Sequence, residues 1–591
     1  MTHTSDVHKN GTSCVDQKQK SIDEEPLRKS KRTKIIHDYG VLDDPYPELE
    51  ETEYNVDEKP ISSAIAMVYA AFNESGIAPD NPKTIAEAQA SPEWPEWEKA
   101  VLTELDQLKT MNVWELVDRP EGRIPIGNKW VLIKKYNKNG ELQKYKARLV
   151  AKGYSQIPGM EYTDTYAPVV RLETIRTILS LAVSQDWEIQ QMDVKGAYLN
   201  GILKEEVYMK QPEGYEDGTD RLCKLIKTIY GLKQSGREWN YELNKELEGK
   251  KFKRLYSDPC VYIRRTGDDI EIITVWVDDL LLFTNNATLM GELKRELQTL
   301  FDVTDLGDPN KIVGIEIERN RKQGELKISQ TKYIESILEK YGLADCNPVH
   351  TPMDPKIKLT PIEEPAEKGN RSNNYASLIG SLMYAAVATR PDIAYSVYRL
   401  ASYTANPDIN HWGAAKRILR YLKGTKDLGI TYKNSENHSN LVGYSDASFA
   451  NNDDRTSVSG YTFISNGGAI TWGSKKQSVV SLSTTEAEYI CLSDAAREVT
   501  WLRNLYKEIG FEEKEPTLIY GDNEGALAIA RNPQYHKRTK QFDIKNHYVR
   551  DQLKTGKITL KYLRTAEMTA DIFTKALPKS EHQKHMSKLG L

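Results

Sequence analysis

The sequence has little cysteine: Cys14, Cys223, Cys260, Cys346 and Cys491 are scattered over 591 residues without a C-x-x-C pair. Neither a disulfide framework nor a zinc site is implied, and a reducing compartment fits. No uninterrupted apolar run approaches the ~20 residues needed to span a bilayer, so a membrane anchor is not expected. The first residues, Met1 to Asp6, show neither a hydrophobic signal core nor an Arg-rich transit pattern, and no internal repeat is visible. A charge excess of one sign is also missing. With 81 Lys and Arg against 85 Asp and Glu, the net charge of −4 does not advertise nucleic-acid binding. Local basic faces can still attract a phosphate backbone.

What is present is size and mixed periodicity. A chain of 591 residues exceeds one core and predicts three or four compact units of ~150 residues, with an α+β fold. Residues 1–78 are polar, acidic over Glu48 to Glu58, and predicted to be a mostly disordered tail, with order starting near Pro92. Within that tail, Lys29 to Lys34 reads as a solvated charge run, with a nuclear-import patch as the sharper alternative. Residues 79–345 form one mixed unit. Pro348, Pro352, Pro355 and Pro361 open a helical connection region over 346–438, a strand-rich α/β unit follows over 439–578, and 579–591 reads as a tail.

Two local elements frame the first unit. Trp94 to Met111 places Trp97, Val101, Leu105 and Leu108 on one face of a packing helix. Lys129 to Tyr136 and Glu141 to Lys152 flank the turn signal Asn137-Lys138-Asn139-Gly140 and predict a hairpin rich in lysine and arginine. Taken alone, those cations read as the solvated face of an edge hairpin.

The candidate chemistry lies further on. Ile270 to Trp276 and Leu280 to Thr284 read as strands, and only Val277-Asp278-Asp279 interrupts them. Adjacent carboxylates repel, and a divalent cation relieves that repulsion. Asp193, 85 residues before Asp278, ends another predicted strand. Asp193 and Asp278 are the expected bridging ligands of a two-metal phosphoryl-transfer centre. Asp279 is given a supporting part, because consecutive strand residues point to opposite faces. Asp268-Asp269 and Asp453-Asp454 read as ordinary solvated turns.

The context is specific. Lys146-Ala147-Arg148-Leu149-Val150-Ala151-Lys152-Gly153, Gln191-Met192-Asp193-Val194-Lys195-Gly196-Ala197-Tyr198, Tyr230-Gly231-Leu232-Lys233-Gln234 and Val277-Asp278-Asp279 follow in the order of a copia-type LTR-retrotransposon reverse transcriptase. The chain resembles the reverse transcriptase and ribonuclease H portion of such a Pol polyprotein from about Pro92 to Leu577. The resemblance implies a right-hand fold of fingers, palm and thumb, with Lys146 and Arg148 binding the incoming triphosphate. It also implies that the Tyr198 ring lies under the nucleotide sugar and excludes a 2′-hydroxyl. Tyr230-Gly231 resembles the segment near template and nucleotide, and Val313-Gly314-Ile315-Glu316 the strand that grips the primer end.

A second set of acids recurs at element ends: Asp446 after an apolar strand, Glu488 near a helix start, Asp522 after another strand, and Asp571 near the C-terminus. Glu486 and Glu488 lie about 200° apart on a helix, and Cys491, Ala495, Val499 and Leu502 share the side of Glu488, which makes it the choice. The order Asp, Glu, Asp, Asp resembles a ribonuclease H domain. That resemblance implies Mg²⁺ held by Asp446, Glu488, Asp522 and Asp571, as by Asp193 and Asp278, with two ions per site and Mn²⁺ as a substitute. The family's histidine about ten residues before the last aspartate is missing from Lys561 to Glu567. His536 to Lys540 and Asp543 to His547 resemble a stretch that meets the hybrid backbone, and His547 has no role assignable from spacing.

The implied partners are an RNA template, a DNA primer, an RNA–DNA hybrid and deoxynucleoside triphosphates, with other Pol products or a second copy beside them and no membrane. The implied place is a cytoplasmic element particle with entry to the nucleus. No protease-like Asp-Thr/Ser-Gly triplet or integrase module is found, so the C-terminal part of a polyprotein is expected, processed or encoded as a truncated copy. The alternative is a catalytically inactive, nucleic-acid-binding remnant of such a Pol protein. The full set of seven carboxylates speaks against it. A third possibility, a structural subunit that needs a second chain, predicts activity that depends on protein concentration.

Overall fold

The computed structural model describes residues 81–136, 141–361, 371–434, 441–532 and 540–591. Two compact units divide the chain, and all of these residues belong to the second, Lys59–Leu591. The expected tail over 1–78, the turn Asn137 to Gly140 and the segment His536 to Thr539 lie outside the described residues.

Order begins earlier than the periodicity suggests. Thr84 caps a short helix, Ile85–Gln89, by accepting the Glu87 amide. The next helix, α1 (Trp94–Thr110), starts at Pro95 and buries Trp97, Val101, Glu104 and Leu108. Glu104 takes the place in that row expected of Leu105, because its carboxylate accepts the Leu149 amide at 3.2 Å. That bond fastens α1 to the hairpin of β1 (Asn128–Tyr136) and β2 (Leu142–Ala151), which pair antiparallel. Trp97, Trp130 and Leu149 lie in a small core of their own.

Helix α2 (Leu172–Ser184) buries every residue except Glu173. It leads to β3 (Glu188–Val194), then β4 (Asp269–Trp276) and β5 (Asp279–Thr284), all in a six-stranded antiparallel sheet. The sheet order is Val303–Gly307, β3, β5, β4, Val261–Thr266, Lys253–Arg254. The buried strands β4 and β5 are apolar on both faces, as the sequence predicted.

The strand expected at Val313-Gly314-Ile315-Glu316 is instead broken by a turn. Val313 (φ 50°) and Gly314 (φ 77°) form a tight turn between Lys311–Ile312 and Ile315–Asn320. These pair onward through Glu325–Ser329 to Gly429–Lys433, so this four-stranded sheet draws its last strand from the connection region. Among the described residues four α-helices, Thr331–Lys340, Arg371–Ala388, Ala394–Ala401 and Ile409–Gly424, lie between.

The last sheet is mixed. Gly468–Lys476, Val458–Ser465 and β6 (Val442–Ser448) run antiparallel, then β7 (Thr517–Gly521) and Ile558–Tyr562 add in parallel. Helix α3 (Thr484–Ile509) packs on β6. Residues 579–591, expected to be a tail, form a helix at Lys579–Lys588, because His582, His585 and Leu589 find buried places. No helix among the described residues is long and apolar enough to cross a membrane.

One hydrophobic core runs from Val170 to Leu560, through both large sheets and the helices between. Polar clamps reinforce it. The buried Arg176 of α2 donates to the carbonyls of Ile470 at 2.7 Å and of Val387 and Ala388 at 2.7 and 3.0 Å, with its guanidinium 4.0 Å from the Trp472 ring. At the far end of α3, the Glu508 carboxylate accepts the amides of Tyr256 and Ser257 and the Ser257 hydroxyl.

Candidate active sites

The hairpin tip that carries the first acids is tight. Trp276 pairs with Asp279, so Val277 and Asp278 alone form the turn. Val277 sits at φ 56°, a left-handed conformation that a β-branched residue adopts only under constraint. The constraint is visible: the buried indole of Trp239 donates to the Val277 carbonyl at 2.7 Å, and the Asp278 carbonyl accepts the Val194 amide at 2.8 Å.

This turn changes the reading of Asp279. Alternation along a strand does not apply between Asp278 and Asp279, because Asp278 is in the turn. Asp279 is the cross-strand partner of Asp193 and so shares its face. Gln191, one pleat before Asp193, donates to the Asp279 carboxylate at 3.1 Å. The spacing between Gln191 and Asp193 was the available signal for that bond. Asp193 and Asp278 line a cavity of about 640 Å³ together with Lys146, Arg148 and Tyr230. Asp279 and Tyr198 are not part of its wall.

The charges in this cavity are complementary. Burial, then the neighbouring Asp278, raises the Asp193 carboxyl above its ordinary range. The same two causes push Asp279 up to about 7. Opposite them, burial and then Arg148 lower the Lys146 ammonium to about 8. The Arg148 guanidinium lies 3.9 Å from an Asp278 oxygen. Thus β2 does not merely wet an edge hairpin: it presents crowded cations to crowded carboxylates. Such a pair of faces suits a ligand that is anionic at one end and brings a hard cation.

The second cluster follows from parallel pairing. Ser445 of β6 lies opposite Gly521 of β7, so Asp446 and Asp522, the next residues, emerge at the same end of the sheet. Helix α3 brings Glu488 to them. Its first turn uses Ser483 as the cap, and Glu486 accepts the Leu482 amide at 2.7 Å, which holds Glu486 at the cap while Glu488 turns inward. One oxygen each of Asp446, Glu488 and Asp522 lies within 4.8 Å of the others. Asp571, on a 3₁₀ turn at Thr569–Phe573, adjoins Asp446 and pairs with Lys575 at 2.9 Å.

Burial dominates here too. It raises Asp446, raises Glu488 well above the usual carboxylate range with the help of Asp446, and pushes Asp571 up to about 7. Thr574 donates to Asp446, and one Asp571 oxygen is buried without a hydrogen bond. Carboxylate oxygens alone, crowded and short of donors, fit a hard dication. Lys575 and Thr574 escaped the sequence reading, although Lys575 follows Asp571 by four residues. His547, at the surface, is not part of either cluster.

Residues 111–355, which include Lys146, Arg148, Asp193 and Asp278 of this cleft, match the family described as Reverse transcriptase (RNA-dependent DNA polymerase). The chain belongs to a family of transposon proteins, since it is 33% identical over 312 residues to the putative transposon Ty5-1 protein YCL074W of Saccharomyces cerevisiae, covering 52% of this chain and 100% of that protein. It is 39% identical over 518 residues to the Pol polyprotein from transposon TNT 1-94 of Nicotiana tabacum, covering 86% of this chain and 39% of that protein. It is 38% identical over 529 residues to that from transposon RE2 of Arabidopsis thaliana, covering 88% and 35%. The chain therefore spans less than half the length of these two Pol polyproteins. Among solved structures, RNase H1 from the halophilic archaeon Halobacterium salinarum NRC-1 is 16% identical, covering 23% of this chain and 93% of that one. Its TM-score of 0.18 decides nothing about the fold.

Proposed function

We propose that this chain is an RNA- and DNA-directed DNA polymerase coupled to a ribonuclease H, the corresponding portion of a copia-type Pol polyprotein. The observation that carries the reading is the pair of separate carboxylate clusters at sheet ends, only one of them faced by a basic strand. On this reading the hairpin of β1 and β2 belongs to the fingers, the six-stranded sheet is the palm, and the four-stranded sheet and its helices supply thumb and connection.

Asp193 and Asp278 would hold two Mg²⁺ ions in the palm, with Asp279 in support, and Asp446, Glu488, Asp522 and Asp571 would hold two in the nuclease. When bound, the ions lower the pKa of the attacking hydroxyl or water and stabilise the departing oxygen. The chain's own residues do the rest. Lys146 and Arg148 take the triphosphate, and their positive charge opposes the charge that builds on the leaving pyrophosphate. Tyr198 filters the sugar by its bulk. The rigid turn at Val277 keeps Asp278 at the cavity wall.

The substrates are deoxynucleoside triphosphates, a DNA primer and an RNA or DNA template, and the nuclease takes the hybrid by its A-like shape. The place is a cytoplasmic element particle with access to the nucleus. Primer extension on an RNA template, followed by hybrid cleavage with purified full-length chain, tests the reading. Extension and cleavage that each depend on added Mg²⁺ or Mn²⁺ support it; binding of hybrid with neither activity refutes it.

A further inference from the structure

Tyr230 stands between two groups that the polymerase reading assigns to the nucleotide. Its ring is buried and lines the cavity. The Arg148 guanidinium lies over it, 4.4 Å from the ring centre. The Tyr198 ring also meets it edge to face, with centres 5.1 Å apart and planes at 66°. Tyr198 itself is not part of the cavity wall, so Tyr230 is its link to the cavity.

The segment around Tyr230 is fastened at both ends. The Tyr230 carbonyl accepts the Ala151 amide at 2.8 Å, joining it to the end of β2. Gly231 (φ 93°) packs so closely that a Cβ would meet the Ala151 carbonyl oxygen at 2.2 Å, which forbids any side chain there. On the other side, Thr228 donates its hydroxyl to the Tyr198 carbonyl. Tyr230 is therefore fastened to the strand that carries Lys146 and Arg148, and Tyr198 is tied to this segment by its ring against Tyr230 and by its carbonyl on the Thr228 hydroxyl.

We propose that Tyr230 is a positioning residue that sets the rejection of ribonucleotides, by holding Tyr198 edge-on and Arg148 over its ring so that sugar filter and triphosphate grip act as one unit. A steric filter works only while its ring cannot recede, and an edge-to-face partner fixes ring orientation. A planar guanidinium stacks where an ammonium does not, so Arg148 also depends on the ring. This inference rests on the polymerase reading above.

The test is single-nucleotide incorporation on an RNA-templated primer, comparing kcat/KM for a deoxynucleotide and its ribonucleotide. Tyr230→Leu is expected to lower the ratio about tenfold, with KM for the deoxynucleotide rising about threefold. Tyr230→Phe, which keeps the ring, is expected to keep the ratio. A purely structural loss would depress both nucleotides alike and leave the ratio unchanged, which overturns the proposal. Should Tyr230→Leu fail to fold, Arg148→Lys reads the same coupling: the ratio is expected to fall, and an unchanged ratio overturns the proposal. A wild-type chain that extends no primer overturns the polymerase reading, and is distinguished because no ratio can then be measured.

Discussion

The two carboxylate clusters differ in what neutralises them. In the first, β2 supplies Lys146 and Arg148 across a cavity of about 640 Å³, and the Asp278 side chain keeps about a third of its exposure. In the second, Asp446 and Glu488 are buried and Lys575 is the cation at hand, bound to Asp571. On the proposed function, one cluster shares its charge with a large anionic ligand and the other depends on small cations. The same donor chemistry thus yields an open site and a closed one, according to what faces it.

The comparison breaks most sharply with single carboxylates. Asp278→Asn is expected to reduce DNA synthesis at least about a thousandfold while leaving hybrid cleavage intact, and Asp446→Asn to do the reverse. Parallel primer-extension and cleavage assays read both, and loss of both activities in either variant would deny two independent sites. Next in size, Arg148→Ala removes a cation from the first cluster only. KM for the deoxynucleotide should rise about tenfold or more, with cleavage kinetics unchanged.

A smaller effect is expected from the turn. Trp239→Phe deletes the donor to the Val277 carbonyl. Stability should fall by about 1–2 kcal/mol in denaturant titrations, and synthesis by a few-fold, since Asp278 loses its fixed place; an unchanged synthesis rate at reduced stability would show the turn to be structural only.

The smallest effect concerns Glu498 of α3, which faces Glu173, Arg171 and Arg176 from α2 and its start, with Tyr461 and Thr471 beside it. Burial, then Glu173, pushes its carboxyl from 4.5 to about 7. A carboxyl raised on folding binds its proton more tightly in the folded state, so its contribution to stability is lost as pH climbs from about 4.5 to about 7. Glu498→Gln should flatten that part of the stability–pH curve and leave the variant the more stable above neutrality. Denaturation midpoints across this window measure it, and identical slopes would discount the group.

Much of this was legible in local sequence, and the remainder has a common cause. The strands around Asp278 stand out because an acidic pair interrupts two apolar runs, and Glu488 is separated from Glu486 by the stripe of Cys491, Ala495, Val499 and Leu502. The face of Asp279 is set by its pairing with Asp193, a register absent from the dipeptide. The Val313-Gly314 turn hid inside an apolar run. Glu104, Arg176, Lys575 and the C-terminal helix owe their places to partners distant in sequence or to carboxylates assembled only on folding. Even the boundaries drawn at 345 and 438 cross a shared core, which composition cannot show.

Arg176 and Glu508 give that shared core a consequence. Each is a charged side chain that ties the surroundings of the six-stranded sheet to those of the five-stranded sheet by bonds to backbone groups. If both centres work on one duplex, the stretch between them is a fixed ruler, and the lengths of the RNA pieces left behind become a property of this joint rather than of the template.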